Sequence, residues 1–320
     1  MMIRRKKIGV ALGGGTIRGM THIGVLETFM ENDIPIDVLA GCSSGSIVAA
    51  AYACGRLKEL KEIALALTKE DRRRMLDFCL AGEGIIRGDK LKSFFEYITA
   101  AKNFEEVSNP KLAFVAADVF TGEEVVLNKG SIAEALEKTT AVPGLAPLKR
   151  YEGKIVVDGG AAMMVPAKVA YDFGADFVVG VDVSAKRTYL TRLVSEIRKT
   201  TRESRIGKLG KKLSAAQEKV KGADENNLLG KMREIMKKIR LLDDYEKRDL
   251  NFMEMILLGM RVVSFDHRKG VFKDEECDLA IHPNVKHIRR TDISRTEELI
   301  KEGKRVAKEQ VKKIKEMCNL

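Results

Sequence analysis

The chain has 320 residues, 45% hydrophobic and 32% charged, an ordinary globular balance that excludes wholesale disorder. No run of about 18 apolar residues occurs, so no spanning helix is predicted. Met1–Lys7 is basic, but too few apolar residues follow it for a secretory signal. The five cysteines, Cys42, Cys54, Cys79, Cys277 and Cys318, are odd in number and form no CxxC pair. A disulfide framework or structural zinc is therefore not expected, and a reducing cytoplasm is the predicted location.

Strands and helices alternate along most of the chain. Ile8–Leu12 is a short apolar run ending at three glycines and reads as a buried strand. Met20, Ile23, Leu26 and Met30 recur at helical spacing over Gly19–Asn32, and Ile36–Ala40 is the next strand. Ser46–Gly55, Leu57–Thr68 and Leu91–Ala100 read as helices. Leu112–Asp118 and Glu124–Leu127 read as strands joined by a Thr121-Gly122 turn. Ser131 is placed to cap a helix running to about Ala141, and the two prolines of Pro143–Pro147 demand a loop. Lys154–Val157 is a strand ending in Asp158-Gly159-Gly160, followed by a helix at Pro166–Phe173 and strands at Phe177–Val183 and Asp278–His282. Arg295–Met317 reads as a surface helix. The apolar runs are continuous, as in a largely parallel sheet covered on both faces, and the predicted class is α/β.

The charge is uneven. Net charge is +11, and Lys186–Arg248 alone holds 19 basic and 9 acidic residues. This block interrupts the alternation and carries two apolar stripes at helical spacing, Leu190–Ile197 and Leu228–Leu242. It points to an acidic partner such as an anionic membrane surface, nucleic acid or another protein, unless it is a solvated Lys-rich hairpin.

Three glycine-containing segments can carry chemistry. Gly13-Gly14-Gly15-Thr16-Ile17-Arg18-Gly19 joins a strand to a helix, where glycines let backbone amides crowd round an anion, either a phosphate or a developing oxyanion. The spacing fails the dinucleotide fingerprint, and Asp37 lies at the wrong end of its strand for a ribose. Gly41-Cys42-Ser43-Ser44-Gly45 is G-x-S-x-G between strand and helix, the setting of a nucleophile elbow. Only Ser43 has a glycine two positions away on both sides. Asp158-Gly159-Gly160 puts a carboxylate at a strand's carboxyl end, which in a parallel sheet faces the crevice above the elbow. The base for Ser43 is open between two readings. A triad would draw on His22, His267, His282 or His287, with Asp182 a candidate acid beside His282. A Ser–Asp dyad needs none of them, but needs direct contact and a carboxylate pKa raised by burial.

These segments resemble the patatin-like phospholipases, and more closely the bacterial and archaeal members related to the neuropathy-target-esterase branch. The matching stretches are GVALGGGTIRGMTHIGVL, GCSSGSIVAAAYA, GIIRGDKL, FEEVSNPKLAFVAADVFTGEEVV, AVPGLAPL, VVDGGAAMMVPA and GADFVVGVDVS, then CDLAIHPNV and DISRTEELIKEG. The resemblance implies a three-layer α/β/α sandwich with a mostly parallel central sheet, and hydrolysis of lipid acyl esters without metal or cofactor. It implies that Ser43 is the nucleophile and Asp158 the base. Amides of Gly13, Gly14 and Gly15 would form the oxyanion hole, with Arg18 and Gly19 supporting the loop and Gly41 and Gly45 shaping the elbow. The elbow departs mildly from the family, reading Cys-Ser-Ser where Thr-Ser-Ala is frequent.

The expected organisation is a patatin-like catalytic domain over 1–188 and 250–303, a basic helical insertion over 189–249, and a C-terminal helix over 304–320. The insertion is longer than usual for the family and is expected to be a lid, a membrane arm or an assembly element. The expected function is a serine acyl hydrolase of the lipase, phospholipase A or lysophospholipase type, with an acyltransferase on the same dyad, or a lipid-binding protein with an idle dyad, as alternatives. The expected partners are a lipid or acyl-ester substrate, an anionic membrane surface and a second copy in a homo-oligomer. Nucleic acid is not expected, and the cytoplasmic protein is expected at the membrane periphery.

Overall fold

The structure is a computed structural model and describes residues 4–68, 89–142, 146, 149–184 and 271–320. The predicted insertion over 189–249, the GIIRGDKL stretch up to residue 88, His267 and most of the loop at 143–147 lie outside the described residues.

The described strands form one mixed, mostly parallel sheet. They are β1 (Ile8–Leu12), β2 (Val38–Cys42), β3 (Lys111–Asp118), β4 (Glu124–Leu127), β5 (Lys149–Tyr151), β6 (Lys154–Asp158), β7 (Phe177–Val181) and β8 (Leu279–Ile281), in the order β5-β6-β3-β2-β1-β7-β8 with β4 beside β3. β1 pairs in parallel with β2 and β7, β2 with β3, and β7 with β8.

The helices are α1 (Thr21–Glu31), α2 (Ser44–Ala53), α3 (Leu57–Ala66), α4 (Asp89–Thr99), α5 (Ile132–Thr139), α6 (Ala167–Asp172) and α7 (Thr296–Cys318). Alternation along the strands sorts them into two outer layers. Val10, Leu12, Leu39, Phe114 and Val179 face one core with α1, α2, α4, α5 and α7. Ala11, Val38, Ala40, Ala113 and Val178 face the other, against Ala167 and Ala170 of α6. The result is the predicted α/β/α sandwich, with alanines and valines where α6 lies on the sheet.

Three features go beyond the sequence reading: the packing of the C-terminal helix, the strand β5 and the direction of β6. The helix expected at the surface over Arg295–Met317 is amphipathic, and Leu299, Ala307, Ile314 and Cys318 are fully buried. The boundary drawn at 303/304 falls inside this helix. Gly303 sits at its closest approach to α1, where a Cβ would meet the Thr21 carbonyl oxygen, and Gly24 of α1 faces Ile300 in the same way. β5 was not foreseen. It forms a hairpin with β6 through Glu152-Gly153, both at positive φ (47° and 76°), the primed turn that suits strand twist.

The consequential feature is the far end of β3. Phe114 and Val115 pair with both β2 and β4, and Ala116 and Ala117 pair with both β4 and β6. A strand has two edges, so β2 and β6 share the edge opposite β4, one following the other. β2 runs parallel to β3 and ends at Cys42 opposite Val115. β6 runs antiparallel and ends at Asp158 opposite Ala116. Their carboxyl ends therefore meet head-on, one register step apart. The expectation that Asp158 reaches the elbow as the end of a parallel strand is corrected: it arrives from the opposite direction.

Candidate active site

Ser43 is the first residue beyond β2 and precedes α2. Its backbone is held at φ 51° and ψ −121°, a conformation that non-glycine residues avoid. Such residues cost on the order of 1–3 kcal/mol and persist only where their surroundings over-determine them. Here the surroundings do. The Ser43 amide donates to Thr139 Oγ1 at 3.1 Å, and the Ser46 amide donates to the Ser43 carbonyl at 3.0 Å. Thr139 Oγ1 is 2.5 Å from the Val115 carbonyl, which only accepts, so Thr139 donates there. Its lone pairs then receive the Ser43 amide and the Ser46 hydroxyl, 3.2 Å away, which accounts for every proton in the cluster. Close approach also demands the elbow glycines. A Cβ on Gly45 would land on the Leu12 carbonyl, and one on Gly41 would lie 2.5 Å from the Ser46 Cα.

Ser43 Oγ is half-buried and donates to Asp158 Oδ2 at 2.6 Å, in the range of hydroxyl-to-carboxylate bonds. The other oxygen, Oδ1, accepts from the Gly160 amide at 2.8 Å. Burial raises the Asp158 carboxyl pKa, opposed by the Ser43 and Gly160 hydrogen bonds and by the charge of Arg290. Cys42, next to Ser43, is fully buried, and burial, with the Asp158 charge adding to it, holds its thiol well above the ordinary range. It stays protonated and is not a rival nucleophile.

No described histidine bonds to Ser43. His22 Nε2 lies 2.8 Å from the Gly13 carbonyl oxygen. His287 pairs with Glu298. His282 bonds to Asp274 at 2.9 Å and has Asp182 at 3.8 Å, so the candidate acid is near it but the serine is not its partner. Among the described residues, the Ser43 hydroxyl meets a carboxylate and no imidazole.

The glycine loop lies beside the elbow, where a Cβ on Gly14 would come within 3.3 Å of the Ser43 Cβ. Arg18 braces this loop. Its guanidinium is buried and donates to the carbonyls of Lys286 and Ile288 at 2.7–2.9 Å, and Ile17 reaches the Arg290 carbonyl. Gly19 is packed directly on the Ser44 side chain. The amides differ from expectation, because each already has an acceptor. Gly13 donates to Val181 and extends the β1–β7 ladder, Gly14 donates to the Met164 carbonyl, and Gly15 donates to Ser44 Oγ, each at 3.0 Å. Thr139, Ser46 and Met164 were not singled out from the sequence. A helix-terminal threonine and a methionine carbonyl carry no local signature of such roles.

A family model described as Patatin-like phospholipase matches residues 10–171. An uncharacterized NTE family protein of Mycobacterium tuberculosis (strain ATCC 25618 / H37Rv) is 30% identical over 178 residues, covering 56% of this chain and 49% of that protein. Patatin-like phospholipase domain-containing protein 6 of Mus musculus is 28% identical over 186 residues, 56% of this chain and 14% of that protein. The match thus spans about half of the mycobacterial relative and less of the mouse one. The crystal structure of VipD from Legionella pneumophila aligns at TM-score 0.45 and 12% identity over 97% of this chain and 67% of that one, too distant to inform the site.

The raised Asp158 pKa has a consequence for stability. Between the ordinary value of 3.8 and the raised one, the folded state binds more protons than the unfolded state, so stability falls as pH rises through that window. Asp158→Asn removes the ionisation. Denaturant titrations should find the variant at least as stable as wild type at pH 7, with the advantage shrinking toward pH 3. A variant that is less stable than wild type at pH 7 and gains ground on acidification would reverse the sign.

Proposed function

Since the chain belongs to the patatin-like phospholipase family, we propose that it is a serine acyl hydrolase of lipid esters working through the pair Ser43 and Asp158. The observation that carries this reading is the 2.6 Å hydrogen bond from the strained serine to a buried carboxylate. Asp158 accepts the Ser43 proton as Oγ attacks the ester carbonyl, and the carbonyl π pair moves onto oxygen. Collapse of the tetrahedral intermediate expels the alcohol, which takes the proton from Asp158, and leaves an acyl-serine. Water, deprotonated by the same carboxylate, then releases the fatty acid and restores Ser43.

The oxyanion falls to the amides of Gly14, which lies against Ser43, and of its neighbour Gly15. The Gly13 amide is tied into the sheet and is not a donor to the oxyanion. Each donor exchanges its present acceptor for the oxyanion, and such a donor is worth about 3 kcal/mol in a dry site. Arg18 supports the loop and does not touch substrate.

The basic insertion over 189–249 is read as a surface that meets anionic lipid, on its charge and two apolar stripes. Co-sedimentation with anionic vesicles should be strong at low salt and lost at high salt, whereas neutral vesicles should not bind. Equal binding to both would remove the electrostatic reading.

Hydrolysis of p-nitrophenyl acyl esters and phospholipids tests the chemistry. Ser43→Ala and Asp158→Asn should each lower kcat/KM by about three orders of magnitude or more, and the double variant should be no slower than either. Multiplying losses, or a folded Ser43→Ala variant that keeps its activity, would end the dyad reading.

A further inference from the structure

The glycine loop is held from beneath by a histidine for which the dyad has no use. His22 stands in the first turn of α1 and is completely buried. Its Nε2 is 2.8 Å from the Gly13 carbonyl oxygen. A carbonyl only accepts, so Nε2 carries the proton and Nδ1 is the bare nitrogen. Nδ1 is buried without a hydrogen-bond partner among the described residues, where the ring is fixed through one nitrogen alone. Burial lowers the imidazole pKa to about 4, which leaves the ring neutral and in one tautomer at neutral pH.

The Gly13 carbonyl and the Gly14 amide belong to one planar trans peptide and point in opposite directions. Fixing the carbonyl therefore aims the amide. On its far side the Gly14 amide meets the Met164 carbonyl oxygen at 3.0 Å, so an oxygen already stands in the acceptor position. The same glycine lies against Ser43.

We propose that His22 is a positioning residue of the oxyanion hole: by holding the Gly13 carbonyl it aims the Gly14 amide at the oxygen that becomes negative when Ser43 attacks. The proposal rests on the acyl-transfer reading above. As the Oγ–C bond forms, the carbonyl π pair moves to oxygen. That oxygen takes the Gly14 N–H in place of Met164, while His22 keeps its proton throughout.

His22→Leu keeps bulk and removes the donor, whereas His22→Gln restores an N–H of similar reach. With a p-nitrophenyl ester, His22→Leu should lower kcat about 10- to 100-fold, with KM within about twofold of wild type. A trifluoromethyl ketone analogue, which forms an oxyanion on Ser43, should lose affinity by the same factor as kcat/KM. An unreactive ether analogue should bind as before. His22→Gln should recover most of the loss, and the acid limb of the pH profile should not move.

Wild-type kcat in His22→Leu, equal weakening of both analogues, or no rescue by His22→Gln would overturn the proposal. Should His22→Leu fail to fold, nitrogen NMR of the wild-type imidazole decides: the Nε2–H tautomer at neutral pH is required, and Nδ1–H would sink the idea. A wild type that neither hydrolyses esters nor labels at Ser43 would instead refute the underlying acyl-transfer reading, whatever the tautomer.

Discussion

The contact between Ser43 and Asp158 depends on two strands ending against each other on one edge of β3. Cys42 stops opposite Val115 and Asp158 opposite Ala116, so the next side chain from one strand and the last from the other converge. Everything around that junction serves to hold it. The Thr139 hydroxyl pins the elbow amide to the Val115 carbonyl, at the same point of β3 where the two strands meet. Gly159 is pressed on that carbonyl as well, which leaves no room there for a Cβ. The serine and the aspartate thus stand at the ends of strands of the central sheet.

This junction is costly to form. A non-glycine residue at φ 51° and a buried carboxylate both work against folding. The hydrogen bonds from Ser43 and Gly160 offset part of the carboxylate's desolvation but not all of it, which is why its pKa stays raised. A raised pKa strengthens the base, and the contact brings the proton within reach. The stability lost at the junction and the proton affinity gained there have the same origin, burial.

Much of this was legible in the sequence. The strand before Gly13 and the strand before Gly41 are continuous apolar runs, and G-x-S-x-G at a strand-to-helix junction isolates Ser43 over Ser44. The order of glycine loop, elbow and Asp-Gly-Gly motif was specific enough to bring Asp158 forward. Strand direction was not legible. Lys154–Val157 looks the same in either orientation, and what reverses it is the short polar β5 with its Glu152-Gly153 turn, too brief to stand out. Hydrogen-bond partners of amides were equally hidden, since Gly13, Gly14 and Gly15 are the same residue type. Only the fold shows that one extends a ladder, one meets Met164 and one meets Ser44. The contact of His22 was hidden too, because its partner is a backbone carbonyl, which leaves no mark in the sequence.

In the proposed mechanism a carboxylate in direct contact with Ser43, and no imidazole, sets the reactivity of the serine. The rate of covalent labelling by a fluorophosphonate, followed by intact mass across pH 3 to 9, tests this most directly. Phosphonylation of Ser43 is expected, at a rate that rises through one ionisation above the ordinary aspartate value of 3.8 and is nearly abolished by Asp158→Asn. Labelling that survives Asp158→Asn, with a midpoint near the ordinary histidine value of about 6.5, would contradict it.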